Sequence, residues 1–243
     1  MENKLLQNTT DTFNNAIAKQ ILEKLLMRVK INENDKEFLA RPFTIENFYK
    51  DCFYNIDKTV NDLADCIKWR NNELVNGIDK YYIDNTTSII KFINKKNDVP
   101  VIYISSFYGH DDIRSLIFYG IKIVEDILKT KKYTTYDIVI DCYKSKMSHY
   151  TDISGIKYFI EIFKKYYPFR INRLLMINSN QISYNLVNIC KPFFSIYMKD
   201  RIFPIMDHNI ELSNYFNQEI LDFLNMVKNE KGEPLILYKN MNF

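Results

Sequence analysis

The sequence predicts an α/β fold: a mostly parallel sheet flanked by helices, preceded by a helical N-terminal lobe. Three observations carry the prediction. Short apolar, β-rich runs recur at VPVIYIS (99–105), YDIVID (136–141), LLMIN (174–178) and RIFPIM (201–206). Longer stretches with helical periodicity separate them, the alternation that builds βα units and parallel strands. Before about residue 75 the pattern is helical throughout.

The elements follow in order. Asn8–Asp11 offers N-cap residues, and Phe13, Ile17, Ile21 and Leu25 then recur at i+4, joined by Leu22, Leu26 and Val29. Such a stripe suits packing on the body of the protein better than a membrane surface. Further helical pattern covers 43–52 and 56–72; in the second, Ile56, Val60, Leu63, Ile67 and the single tryptophan, Trp69, predict burial. The run at 99–105 follows the turn residues Asn97–Asp98. Helices are predicted over 111–130, 152–166, 181–194 and 212–228, between and after the strands. The strands are near-continuously apolar, as expected of a sheet covered on both faces. Tyr136, Ile138 and Ile140 share one face by period-two alternation.

Composition bounds the function. The chain has 243 residues, of which 47% are hydrophobic and 15% aromatic. That surplus fits A/T-rich coding and equally supplies surface to line a cavity. A net charge of +3 is too balanced to predict nucleic acid binding. No stretch reaches the ~18–20 apolar residues of a membrane span. The polar start MENKLLQNTTD lacks the apolar run of a signal peptide. Cys52, Cys66, Cys142 and Cys190 are scattered without a CxxC pair, so neither zinc nor a disulfide framework is expected. A cytoplasmic location follows.

Catalytic grammar is sparse. Five glycines form no GxGxxG, phosphate loop or GxSxG elbow. The run GHDD (109–112) reads better as a strand-to-helix loop with Asp111 or Asp112 as a cap than as a metal site. Cys142 and His149 could be paired on paper, but only their nearness in sequence marks them. No metal, no cofactor and no enzyme activity are expected.

The most specific stretch is YYPFRINRLLMINSNQISYNLVNICKPFFSIYMKDRI (166–202), with Tyr167-Pro168-Phe169-Arg170, Ile177-Asn178, Lys191-Pro192-Phe193 and Arg201-Ile202 at characteristic spacing. It resembles the signature of CRAL-TRIO lipid-binding domains. DCYKSKMSH (141–149), residues 99–112 and KWRNN (68–72) resemble upstream segments of that family. Phe169 and the residues after it resemble the animal branch that includes α-tocopherol transfer protein and cellular retinaldehyde-binding protein. Lys144 stands where the family has glycine, the usual L-R-F-L-R-A-R motif is missing near 45–53, and the L-P-x-x-Y-G-G segment after the last strand is missing.

The resemblance implies a helical lobe over 1–78 and a lipid-binding domain over 79–243. It implies a hydrophobic pocket lined by Tyr103, Phe118, Tyr136, Ile138, Ile140, Phe159, Phe163 and Ile177. A mobile gate would span 179–197, with Ile182, Leu186, Ile189 and Phe193 at helical spacing as its apolar face. It further implies phosphoinositide contact at Arg170, Arg173, Lys199 and Arg201. The implied partners are a hydrophobic small molecule or lipid and an anionic membrane bound peripherally. A domain of this fold whose pocket has collapsed, acting only as an interaction module, is the alternative.

Overall fold

The computed structural model describes residues 15–81, 89–94, 96–105, 113–143, 145, 151–205 and 212–229. Among the described residues, four helices come first: α1 (Asn15–Leu26), α2 (Glu33–Leu39), α3 (Thr44–Asp51) and α4 (Ile56–Trp69). Asn32 starts α2 with a capping box: its Oδ1 accepts from Asp35 N at 2.9 Å, and Asp35 Oδ2 accepts from Asn32 N at 2.9 Å. Asn55 caps α4 through Lys58 N. Ile21 and Leu25 of α1 meet Leu63 and Ile67 of α4 in a core of their own. Phe13, the first residue of the predicted stripe, lies outside the described residues.

A π-helical turn, Arg70–Leu74, leads from α4 into α5 (Val75–Tyr81), which runs through residue 78. A Cβ placed on Gly77 would overlap the Phe118 ring, so this helix can lie close only because residue 77 has no side chain. We expect Gly77→Ala to lower stability by about 1–3 kcal/mol, less the ~1 kcal/mol that alanine returns in helix propensity, read as a small fall in melting temperature.

Among the described residues, the sheet has five strands in the order β1-β2-β3-β4-β5: β1 (Ile89–Asn94), β2 (Val99–Ser105), β3 (Tyr136–Asp141), β4 (Ile171–Ile177) and β5 (Ile202–Pro204). β1 pairs antiparallel with β2, and the other pairs are parallel. Helices α6 (Ile113–Lys129), α7 (Ile153–Tyr166), α8 (Gln181–Cys190) and the short α9 (Ile196–Lys199) follow the successive strands, and α10 (Gln218–Asn229) closes the described chain. The α/β class and mostly parallel sheet are as the sequence predicts. β1 is an addition, since the expected sheet began at residue 99.

Strand alternation divides the interior in two. Ile102, Ile138, Leu174 and Ile202 face one side with Phe118, Ile121, Val124 and Phe163. Val101, Tyr103, Val139, Leu175 and Ile177 face the other, under Phe216, Ile220 and Phe223. Each face thereby removes an apolar layer from water at ~25 cal/mol per Å².

A buried ionic cluster joins the N-terminal helices to the sheet's cover. Arg70 Nη1 and Nη2 donate to Glu125 Oε1 and Oε2 at 2.8 and 2.7 Å. Arg41 Nη2 donates to Oε2 at 2.9 Å and Tyr167 O–H to Oε1 at 2.7 Å. Burial alone would raise the Glu125 carboxyl, but the bonds from Arg70 and Arg41 outweigh it and hold the group well below the usual carboxylate range. None of the four cysteines is in a disulfide, and all four are buried. Burial, with the hydrogen bond to Asp62, pushes the Cys52 thiol up to about 12, and burial is the largest cause that pushes Cys66 up to about 12.

Candidate ligand pocket and gate

Six of the eight expected pocket residues gather on one side of the sheet. Tyr136, Ile138 and Ile140 project from β3 toward Phe118 on α6 and Phe159 and Phe163 on α7. Phe159 and Phe163 are in ring contact at 4.6 Å between centroids, and Phe163 reaches Tyr167 at 5.6 Å. Tyr103 and Ile177 belong to the opposite face, so they line no common cavity with the other six. The reason is register. Ile102 stands beside Ile138 and Tyr103 beside Val139, and on β4 Leu174 shares the Ile138 row while Ile177 pairs with Asp141. Ile102, Ile104, Leu174, Met176 and Ile202 share the side of Ile138. Period-two counting from Ile138 across the strands would have found them. Tyr103 instead donates its O–H to Asp141 Oδ2 at 2.6 Å, while Asn178 Nδ2 donates to Asp141 Oδ1 at 2.6 Å.

A helix, α8, occupies the middle of the segment expected as a gate. Asn180 and Ser183 make its capping box, Ser183 N to Asn180 Oδ1 at 2.9 Å and Asn180 N to Ser183 Oγ at 2.8 Å. Its inward face is made by other residues than the four expected as the gate's apolar face. Ser183, Val187 and Cys190 are buried, with Val187 joining the sheet's core. Of the four predicted gate residues, Leu186 is half-buried, while Ile182, Ile189 and Phe193 are 43%, 62% and 41% exposed. Tyr184 and Ile196 extend this outward apolar strip. The i, i+3, i+4 spacing marks the apolar stripe, and the small residues of the other face decide which side it takes. Small residues at 183 and 190 seat the helix against the body, leaving the large ones outside.

Lysines border the strip. Lys157 Nζ sits 4.7 Å from the Phe193 ring centroid, and Lys191 and Lys199 are exposed. Arg201 Nη1 donates to Asn172 O at 2.9 Å, and its guanidinium stacks 4.0 Å over the Tyr197 ring. Tyr197 in turn meets Phe169 at 4.4 Å.

The other expected headgroup residues are placed differently. Arg173 pairs with the fully buried Asp137 of β3, with Nε 3.1 Å from Oδ2. Arg170 is only 4% exposed. Its Nη1 donates to Thr134 O at 2.9 Å, and its Nη2 donates to Pro42 O at 2.7 Å and Thr44 Oγ1 at 2.9 Å. The cause lies one residue earlier, where Phe169 takes a left-handed φ of 58°. That turn sends the ring outward to Tyr197 and the arginine inward. The expected headgroup contact at Arg170 is therefore corrected: this side chain ties α3 to the start of β4. Burial lowers its pKa to about 10.

Cys142 is buried, and His149, Lys144 and the run 109–112 lie outside the described residues. Among the described residues, no three of His, Cys, Asp or Glu gather as a metal site, and no helix is long and apolar enough to cross a membrane.

With a five-stranded sheet, a capped helix over its last parallel strands and the 166–202 motif in place, comparison with known families is decisive. The CRAL/TRIO domain matches residues 96–223, just over half of the chain. The chain belongs to the CRAL/TRIO domain family. Its fold is similar to that in "Crystal structure of Sfh5", at 18% identity and a TM-score of 0.62, over 84% of this chain and 85% of that one. Comparison with curated proteins finds no match. CRAL/TRIO membership supports lipid binding or transfer at the level of the family, whose proteins are generally carriers rather than enzymes.

Proposed function

We propose that this CRAL/TRIO domain binds a hydrophobic small molecule or lipid between the Ile138 face of the sheet and helices α6, α7 and α8, and presents it at anionic membranes from the cytoplasmic side. The observation that carries the reading is the outer face of α8. Ile182, Ile189, Phe193 and Ile196 are exposed together, next to Lys157, Lys191 and Lys199. Water-facing apolar residues beside cations suit the boundary between acyl chains and anionic headgroups. Lys199 and Arg201 remain candidates for phosphoinositide contact, joined by Lys157 and Lys191 in place of Arg170. The animal-branch affinity suggested by Phe169 belongs to the same proposal.

Vesicle flotation and lipid exchange test it. Ile189→Asp with Ile196→Asp should weaken binding to anionic vesicles about a hundredfold or more, since each isoleucine contributes ~1.5 kcal/mol or more if buried. Lys157→Gln with Lys199→Gln should cost about thirtyfold, at ~1 kcal/mol per basic residue. Native mass spectrometry of the gently purified chain should show a bound lipid-sized mass. A chain that carries no such mass and moves no lipid between vesicles overturns the carrier reading.

One observation favours a second reading. Phe118, Tyr136, Ile138 and Phe163 are each no more than 5% exposed and pack on one another, as in an interaction module whose pocket is filled by its own side chains. The same mass measurement separates the two.

A further inference from the structure

One contact ties the N-terminal helices to the wall of the candidate pocket. Leu74 and Ile78, at the end of the π-turn and in α5, pack with the core on the Ile138 side of the sheet. Gly77 lies buried between them and the Phe118 ring of α6. An ideal Cβ at residue 77 would stand 2.1, 2.3 and 2.6 Å from Phe118 Cε1, Cζ and Cδ1. The tip of the ring thus fills the space that any other side chain at 77 would take. Glycine inside a helix is a weaker helix former than alanine, and a recess for the ring is a packing reason to have one here.

Phe118 itself faces the candidate pocket. It is 3% exposed and shares a core with Ile102, Ile138 and Phe163, and its ring centroid lies 6.4 Å from that of Tyr158 on α7. Carbon atoms rest at about 3.5–4 Å from one another. A methyl at 77 would therefore drive the ring roughly 1.5 Å away from α5, into the interior it shares with Ile138. We propose, resting on the carrier reading, that Gly77 positions a specificity-determining ring: its recess holds Phe118 aside and so sets the size of hydrophobic ligand that fits between the sheet and helices α6 and α7. Phe118 touches the ligand, and Gly77 acts through it.

Native mass spectrometry of the full chain, followed by extraction of its co-purified lipids, tests this on the unaltered chain, Gly77→Ala, Phe118→Leu and the two changes together. In Gly77→Ala the bound masses should shift toward smaller lipids. Retention of the lipid carried by the unaltered chain should fall about tenfold, the contact of roughly two methylenes being lost. Phe118→Leu should shift the masses the other way. The double variant should lose the Gly77→Ala shift, because the shorter leucine leaves room for the methyl. A merely structural role for Gly77 would lower the melting temperature and leave the bound masses alone. Unchanged masses and retention in the folded fraction of Gly77→Ala would overturn the proposal, as would a double variant that keeps the Gly77→Ala shift. Should Gly77→Ala fail to fold, unchanged masses in Phe118→Leu would overturn it. An unaltered chain that carries no lipid overturns the carrier reading itself, and this role of Gly77 with it.

Discussion

Glu125→Gln is expected to lower stability by about 3–5 kcal/mol, because it leaves two buried guanidinium groups facing a neutral amide. Arg70 and Arg41 each bond the carboxylate, and Tyr167 donates to it as well. For a chain of this size that is a fall of roughly 6–20 °C in melting temperature. The direction of the Glu125 shift also sets a pH dependence. Its carboxyl is held low in the folded state, so its contribution is fully present above the unfolded value near 4.5 and is lost as pH falls below it. Chemical denaturation from pH 7 to pH 3 should show a steep loss in the native chain. The glutamine variant should start lower and lose less over the same range. A variant as stable as the native chain, with the same acid profile, would mean that the cluster contributes nothing to the fold.

Arg170→Met is the second large effect, and it separates the geometry from the motif. Read as part of a headgroup cluster, the residue should matter to vesicle binding and not to folding. In the structure it bonds Thr134 O, Pro42 O and Thr44 Oγ1 from a buried position. Its loss leaves buried acceptors unmatched at ~1–3 kcal/mol each, so we expect destabilisation of about 3 kcal/mol or more, seen as a lower denaturation midpoint. Flotation with anionic vesicles, under conditions where the variant is still folded, should be unchanged. Weakened flotation with unchanged stability would restore the headgroup role.

Much of the architecture was legible because apolar runs and helical spacing are strong local signals. Ile113–Lys129 and Ile153–Tyr166 follow the predicted helices closely. β1 was missed, although Asn97–Asp98 marks its hairpin: Asn97 N bonds Asn94 O, and Asp98 adopts a left-handed φ of 50°. Lys91 in the middle of the run hid it as an edge strand. The pocket residues were read partly on the wrong side because Tyr103 and Ile177 look as apolar as their neighbours, and only strand register assigns the face. The placement of Arg170 is hidden for a different reason. A motif names a residue but not the sign of the preceding φ, and the turn at Phe169 decides where the guanidinium goes. The Glu125 cluster joins residues far apart in sequence, and no local pattern announces it.

The buried thiols would clock the proposed lifting of α8 separately from global unfolding. Cys66 is enclosed by the helical core, whereas Cys190 lies on the inner face of α8. Alkylating reagents act on the thiolate, and both positions are masked while the chain is closed. Cys66 should then react at the rate of global unfolding. Cys190 should react faster wherever α8 lifts from the sheet, and faster still on anionic vesicles. The ratio of the two labelling rates, read by peptide mass, would time the swing of one helix against the breathing of the whole molecule.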